Sequence, residues 1–202
     1  IIPYAIDYDF FCLNSKGNIR SELGIGEELL IVHVGYLGPQ KNQLYSAKVL
    51  FDIKKYLPSA KLVFAGKGDN DYEGEVRRFV EKRNLTENVV FMGHVRRETV
   101  RDLYQSADIA LFPTRSQGGW LSPFEAMAAG APVIVKPSFT AASIIEKEGL
   151  GVVTDRFAPA ITEMIQHREE ARNMAIKAQS WIKDNLSWER YGAEVVRIIN
   201  EV

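Results

Sequence analysis

Six short apolar runs, each closed by a turn residue and separated by stretches of helical periodicity, leave this chain very few ways to fold. They are LLIVHV at 29–34, KLVFA at 61–65, NVVFM at 88–92, IALFP at 109–113, PVIV at 132–135 and GVVT at 151–154. Runs this short and this rich in β-branched residues read as strands buried on both faces. Between them, Leu44, Ala47, Leu50 and Ile53 predict a helix over 43–56, which Pro58 ends. Val76, Phe79 and Val80 predict another over 73–84, and Val100, Leu103 and Tyr104 a third over 98–106. A short helix opens near Ser122 and Pro123, carries Glu125 in its first turn and stops at Gly130; a further one spans 141–147. The fold class is α/β: a doubly wound, parallel, six-stranded, Rossmann-like sheet with right-handed crossovers and C-terminal helices.

Beyond residue 158 the pattern is helical only, over 158–167, 169–185 and a terminal helix at 187–202. Residues 1–12 read as a tight connection without a helix, and 13–28 as loop. No repeat or low-complexity linker interrupts the 202 residues, so one domain is expected. A net charge of −1 argues against nucleic acid as a partner. The single cysteine, Cys12, has no internal disulfide partner, and no Cys/His cluster suggests zinc; both fit a cytoplasmic protein without a metal. No apolar run is long enough for a membrane span, and there is no signal peptide. The chain starts on Ile1 and reads as part of something longer.

The stretch 114–135, TRSQGGWLSPFEAMAAGAPVIV, holds the strongest functional signal. A buried strand runs into the glycine pair Gly118 and Gly119, then a helix, then the next strand, which is the layout of a ligand site at the carboxyl end of a parallel sheet. A helix N-terminus offers free N–H groups and a positive dipole end, so a phosphate-bearing ligand is expected, with Glu125 against its hydroxyls. Ser122-x-x-Glu125 also fits a capping box, in which Glu125 only bonds back to the cap. The dinucleotide fingerprint is absent, since the first strand ends in Gly35-Tyr36-Leu37-Gly38 and the second offers only Gly66-Lys67-Gly68; a Walker A loop is absent too. Lys41 stands in the first loop, where it could reach a phosphate or remain solvated. His94 is a loop histidine, His33 reads as a hydrogen-bonded core residue, and Asp108 is as readily a turn acceptor as a functional group.

Seven segments, in order, resemble one family. PYAIDYDFF resembles an interdomain linker of the Asn-Gly-Val-Asp type, and HVGYLGPQKN a Val-Gly-Arg-Leu-x-x-x-Lys-Gly loop. KLVFAGKGD, NVVFMGHV and LYQSADIALFPT resemble the next three strand segments. QGGWLSPFEAMAAGAPVIV resembles the Glu-x7-Glu signature, and LSWERYGAEV the terminal helix. Together they are similar to the C-terminal, donor-binding half of GT-B-fold glycosyltransferases of family 4 (group 1), which retain configuration.

The resemblance implies a function: transfer of a sugar from a nucleotide-diphosphate sugar to an acceptor, with retention. Lys41 would hold the diphosphate, Glu125 the ribose, and Gln117 would stand beside the sugar at the catalytic position. Gly35, Tyr36, Gly118, Gly119, Trp120, Leu121 and Ser122 would line the sugar and phosphates, and Gly66, Lys67, His94 and Val95 the base. It implies no cofactor beyond the donor and no metal. Residues 1–12 would link to an N-terminal acceptor domain outside this chain, through which any contact with the inner face of a membrane would come.

The sequence also departs from the pattern. Gln117 replaces the first signature glutamate, Tyr36 the arginine of the first loop, and Ser122 a proline. Gly118-Gly119-Trp120 replaces Gly-Phe-Gly, and 139–143 lacks the glycines and acid that usually follow the fifth strand. The alternative is therefore a catalytically degenerate nucleotide-binding or protein-interaction module on the same fold, with Trp120 as an interface anchor; a sugar-nucleotide epimerase is a further one.

Overall fold

β1 (Leu30–Val34) pairs on both sides and is buried through its first four residues, so the sheet is built outward from it. The computed structural model describes residues 5–14, 18–115 and 121–200. After β1 come α3 (Gln43–Lys54), β2 (Lys61–Ala65), α4 (Asn70–Lys82) and β3 (Val89–Phe91), with a 3-10 turn at Thr86–Asn88 before β3. Then follow α5 (Arg97–Ser106), β4 (Ile109–Phe112), α6 (Leu121–Ala128), β5 (Val133–Val135), α7 (Ala142–Glu148) and β6 (Val152–Val153). Three helices close the order, α8 (Phe157–Gln166), α9 (Arg168–Asn185) and α10 (Trp188–Asn200). The strands run β3-β2-β1-β4-β5-β6, and every described pairing is parallel. The expected doubly wound sheet is present.

Alternate residues of each strand supply two separate cores, as a two-residue period requires. Leu30, Val32, Val63, Ala65, Ala110, Phe112, Val133 and Val135 face one way, against α5, α6 and α9. Ile31, Leu62, Phe64, Ile109, Leu111 and Ile134 face the other, against α3, α4 and α8. His33 lies on this second face, 1% exposed, with Nδ1 2.9 Å from the Ser46 hydroxyl, as expected of a core histidine. Burial, with the nearby Lys41 charge adding to it, pushes its imidazole down to about 3, so it stays neutral at any ordinary pH. Asp108 is a structural acceptor. Its Oδ2 takes a 2.7 Å bond from the Leu30 N–H and another, also 2.7 Å, from Arg20 Nη2, which pins the start of β4 to the start of β1.

Two expectations at the N-terminal side are corrected. Residues 8–12 form a helix, α1 (Tyr8–Cys12), because Asp7 accepts the Phe10 N–H and Gln105 Nε2 donates to the Phe11 and Leu13 carbonyls at 2.7 Å. Within 13–28 lies α2 (Ile19–Glu22), started by Asn18, which accepts the Ser21 N–H. α1 is also fastened by Arg97, which stacks 4.1 Å over the Phe10 ring and pairs with Asp7 at 2.9 Å. The Ile6 N–H donates to the Leu186 carbonyl just past α9 at 2.7 Å, so the chain's way into the sheet and its way out of α9 meet. α10 buries none of its described side chains and leaves Trp188, Val196 and Ile199 exposed.

At the carboxyl edge the loop after β2 is in contact with those after β1 and β3. The Gly66 N–H donates to the Gly93 carbonyl at 2.7 Å, and the Asp69 N–H to the Leu37 carbonyl at 2.9 Å. A Cβ on Gly66 would overlap the Gly35 carbonyl, and Gly66 has φ +143°, so no other residue fits this contact. Asn42, at φ 64°, turns the first loop into α3 in the left-handed region, and its Nδ2 donates to the buried Pro113 carbonyl at 3.1 Å. It thereby ties the loop after β1 to the loop after β4. Gly66→Ala should lower stability by at least ~2 kcal/mol. Gly74→Ala, in α4 where a Cβ meets nothing within 4 Å, should raise it by ~0.5–1 kcal/mol. Asn42→Ala should cost ~1–3 kcal/mol, since it leaves a buried carbonyl unpaired. Urea unfolding curves of the three variants check these signs.

Candidate functional site

Crossovers before and after the middle of the sheet lie on opposite faces, so the helices part between β1 and β4. α3 and α4 cover one face and α5 and α6 the other. That parting opens a crevice at the carboxyl ends of β1 and β4, the usual ligand position in open sheets of this kind. Its floor is the loop 35–42 after β1 and the loop that begins at Pro113 after β4. The Arg115 N–H donates to the Gln40 carbonyl at 2.8 Å, so the two loops form one surface.

Lys41 stands in this floor, half-buried, with its aliphatic stem laid over Gly35. Burial holds its ammonium below the ordinary lysine range. Among the described residues no carboxylate pairs with it. A half-buried cation without a counter-ion, beside the start of α3, is an arrangement completed by an anion. Gln43 keeps the loop in shape: its Nε2 donates to the Tyr36 carbonyl at 2.9 Å and its Oε1 accepts the Gly38 N–H at 3.3 Å. Tyr36 is 61% exposed, its ring free to lie against a ligand.

Glu125 approaches from the other side of the crevice. It falls beyond the first turn of α6, which already includes Leu121 and Ser122. The expectations that Glu125 sits in the first turn and that Ser122 caps the helix are therefore corrected: Ser122 lies within the helix, so it is not the cap of a capping box. α6 ends as foreseen at Gly130, with φ +86° and Ala131 N–H bonded to the Ala126 carbonyl at 2.9 Å. The Glu125 carboxyl is half-buried, and its pKa is raised by that burial and drawn back by Arg97. Beneath it lies Tyr104, wholly buried beside Ser122 and Glu125, whose hydroxyl has no hydrogen-bond partner of good geometry among the described residues.

The remaining expected residues fall on the same edge. Gly66 and exposed Lys67 follow β2, exposed His94 and half-buried Val95 follow β3, and Leu121 and Ser122 open α6. Gln117, Gly118, Gly119 and Trp120 lie outside the described residues. The carboxyl-edge loops also share a property not foreseen from the sequence. In strand order they carry Arg96, Lys67, Lys41, Arg115, Lys136 and Arg156, a cation for every strand of a chain whose net charge is −1. The acids in these loops are Asp69, which caps α4, and Asp155, which pairs with Lys136 at 3.4 Å. Asn42, Arg115, Tyr104 and Lys136 were all missed as site residues. For Asn42 a signal existed, since asparagine is the side chain that best tolerates the left-handed region when glycine is not used. Among the described residues no group of His, Cys, Asp and Glu is arranged to hold a metal, and no helix is long and apolar enough to cross a membrane.

Comparison with known proteins agrees with this layout. The family described as glycosyl transferases group 1 matches residues 15–181. A GDP-mannose-dependent alpha-(1-6)-phosphatidylinositol monomannoside mannosyltransferase of Mycolicibacterium smegmatis is 24% identical over 98% of this chain and 55% of its own length. An uncharacterized glycosyltransferase of Methanocaldococcus jannaschii is 29% identical over 98% of this chain and 51% of its own. The chain thus spans about half the length of these curated relatives. Among solved structures, the Anabaena protein HepE in complex with UDP superposes with a TM-score of 0.85 at 18% identity, covering 98% of this chain and 56% of that one. With a family match over most of its length and the same fold, this chain belongs to the glycosyl transferases group 1 family.

Proposed function

We propose that this chain is the donor-binding half of a glycosyltransferase, holding a nucleotide-diphosphate sugar while the sugar is transferred, with retention, to an acceptor held by a separate domain. The observation that carries this reading is Lys41: a half-buried, unpaired cation at the fork between β1 and β4, in a rim of further cations. The family's relatives and the UDP in a structure of the same fold support it.

In this reading the diphosphate lies against Lys41 and the loop 35–42, and Glu125 accepts hydrogen bonds from the ribose hydroxyls. Gly66, Lys67, His94 and Val95 border the base, while Tyr36, Leu121 and Ser122 flank the phosphates and sugar. Gln117 and the glycines beside it complete the sugar side, with glutamine offering hydrogen bonds in place of a carboxylate. As the glycosidic bond breaks, the electron pair leaves with the diphosphate, and Lys41 stabilises the charge that develops there. No step requires a metal or a cofactor.

Calorimetric titration of this chain with UDP, GDP and ADP tests the reading; if none binds at millimolar concentration, it is wrong. Lys41→Ala should weaken the bound nucleotide by about ten- to hundredfold, the value of a charge-assisted hydrogen bond. Glu125→Gln, which keeps a hydrogen-bond acceptor, should weaken it less. Binding should also take up a proton. Burial lowers the Lys41 pKa in the free protein, and an adjacent phosphate raises it again. The uptake should appear between the lowered and the raised value and vanish at lower pH, where Lys41 is already charged. Titrations in two buffers of different ionisation enthalpy measure it.

A further inference from the structure

The loop after β5 carries a lysine that the proposed site does not yet use. Lys136 follows the last residue of β5, on the carboxyl edge, and its side chain is only 20% exposed. Its ammonium lies 4.9 Å from the ring centroid of Tyr45, in the first turn of α3, so it leans toward the helix whose preceding loop supplies Lys41. Ser138 donates to the Thr114 carbonyl at 3.1 Å, which joins this loop to the one after β4 in a single wall. Strand order fixes the spacing along that wall. β1 and β5 are separated by β4 alone, so their ends lie about 10 Å apart, two strand spacings. With the base on the β2–β3 side and the diphosphate at β1, the transferred sugar extends toward β4 and β5.

Among the described residues the one carboxylate paired with Lys136 is loosely held. Asp155 lies 3.4 Å away and is 69% exposed, well beyond the 2.7–2.9 Å typical of a tight charge-assisted bond. An ammonium has three donors, and among the described residues Asp155 engages one of them. Residues 136–143, KPSFTAAS, contain no acid, and residue 117 is a glutamine. The sugar side of the edge is thus positive, poor in carboxylates, and lined by a mostly buried cation with donors to spare.

We infer that Lys136 selects a donor whose transferred sugar carries a negative group, a hexuronic acid, by pairing with its carboxylate. The inference rests on the donor-binding reading and names its substrate class. Lys136 acts on specificity: it takes up the carboxylate at the far end of the sugar and exchanges its weak contact with exposed Asp155 for a closer one. A neutral hexose leaves it on Asp155 and gains nothing from it.

The test titrates this chain with UDP-glucose and UDP-glucuronate, and with GDP-mannose and GDP-mannuronate, alongside UDP and GDP alone. The uronate should bind about tenfold or more tighter than the neutral sugar on the base that binds. In Lys136→Met, which keeps the aliphatic stem against Tyr45, that ratio should collapse toward one, and Lys136→Arg should restore most of it. Asp155→Asn, which removes the competing carboxylate, should increase the ratio. Equal or preferential binding of the neutral sugar by the unaltered chain overturns the inference while nucleotide binding stands. So does a Lys136→Met variant that weakens both sugars alike and keeps the ratio, since Lys136 would then only latch the β5 loop to α3. If UDP, GDP and ADP alone all fail to bind, the donor-site reading falls, and this inference with it.

Discussion

Everything at the carboxyl edge depends on the position of β1. A strand paired on both sides and covered on both faces has no freedom left except at its ends. Asp108 fixes one end by accepting the Leu30 N–H, in the same stroke fixing β4 alongside. At the other end the backbone must leave the sheet where the flanking helices diverge. The loop that leaves is held by three kinds of contact: the Gly66 approach, the Gln43 clamp and the Asn42 tie to Pro113. Lys41 is therefore presented on a rigid support, and its burial without a counter-charge is a property of that support more than of the lysine itself.

Most of the architecture was legible because burial on both faces leaves an unmistakable pattern. LLIVHV, KLVFA and IALFP have no polar alternation to confuse with a surface strand, and the helices between them are long enough to show a period. α1 and α2 were not legible, for a plain reason. Helices of five and four residues cannot display a 3.6-residue repeat, and what forms them is a cap from Asp7 or Asn18 plus distant partners such as Gln105, Arg97 and Asp108. The Ser122 and Glu125 register slipped because the capping pattern is satisfied in sequence, while in the structure Ser122 already lies within α6.

The site was legible in a different way. Lys41, Glu125 and the glycine turns were singled out because their spacing resembles a family, and the structure brings the described ones to one edge. Lys136 and Arg115 were invisible to that approach, because a single lysine or arginine in a loop has no pattern. Their meaning comes from strand order, which places residues 41, 115 and 136 side by side although nearly a hundred positions separate the first from the last. Near-neutral overall charge hid the asymmetry. The cations are gathered where the loops converge, and much of the acid is spent on helix starts and surface pairs such as Glu73 with Arg77.

The hydrogen bond from Ile6 to Leu186 has a mechanical meaning. A module whose entering and leaving segments touch is topologically close to a closed ring, attached to whatever surrounds it at one point instead of two. A load applied through either segment is therefore shared by the other before it reaches the sheet. Since α1 is clamped by Arg97, and Arg97 is also the cation that draws back the Glu125 pKa, the joined ends and the Glu125 side of the crevice are built on the same side chain.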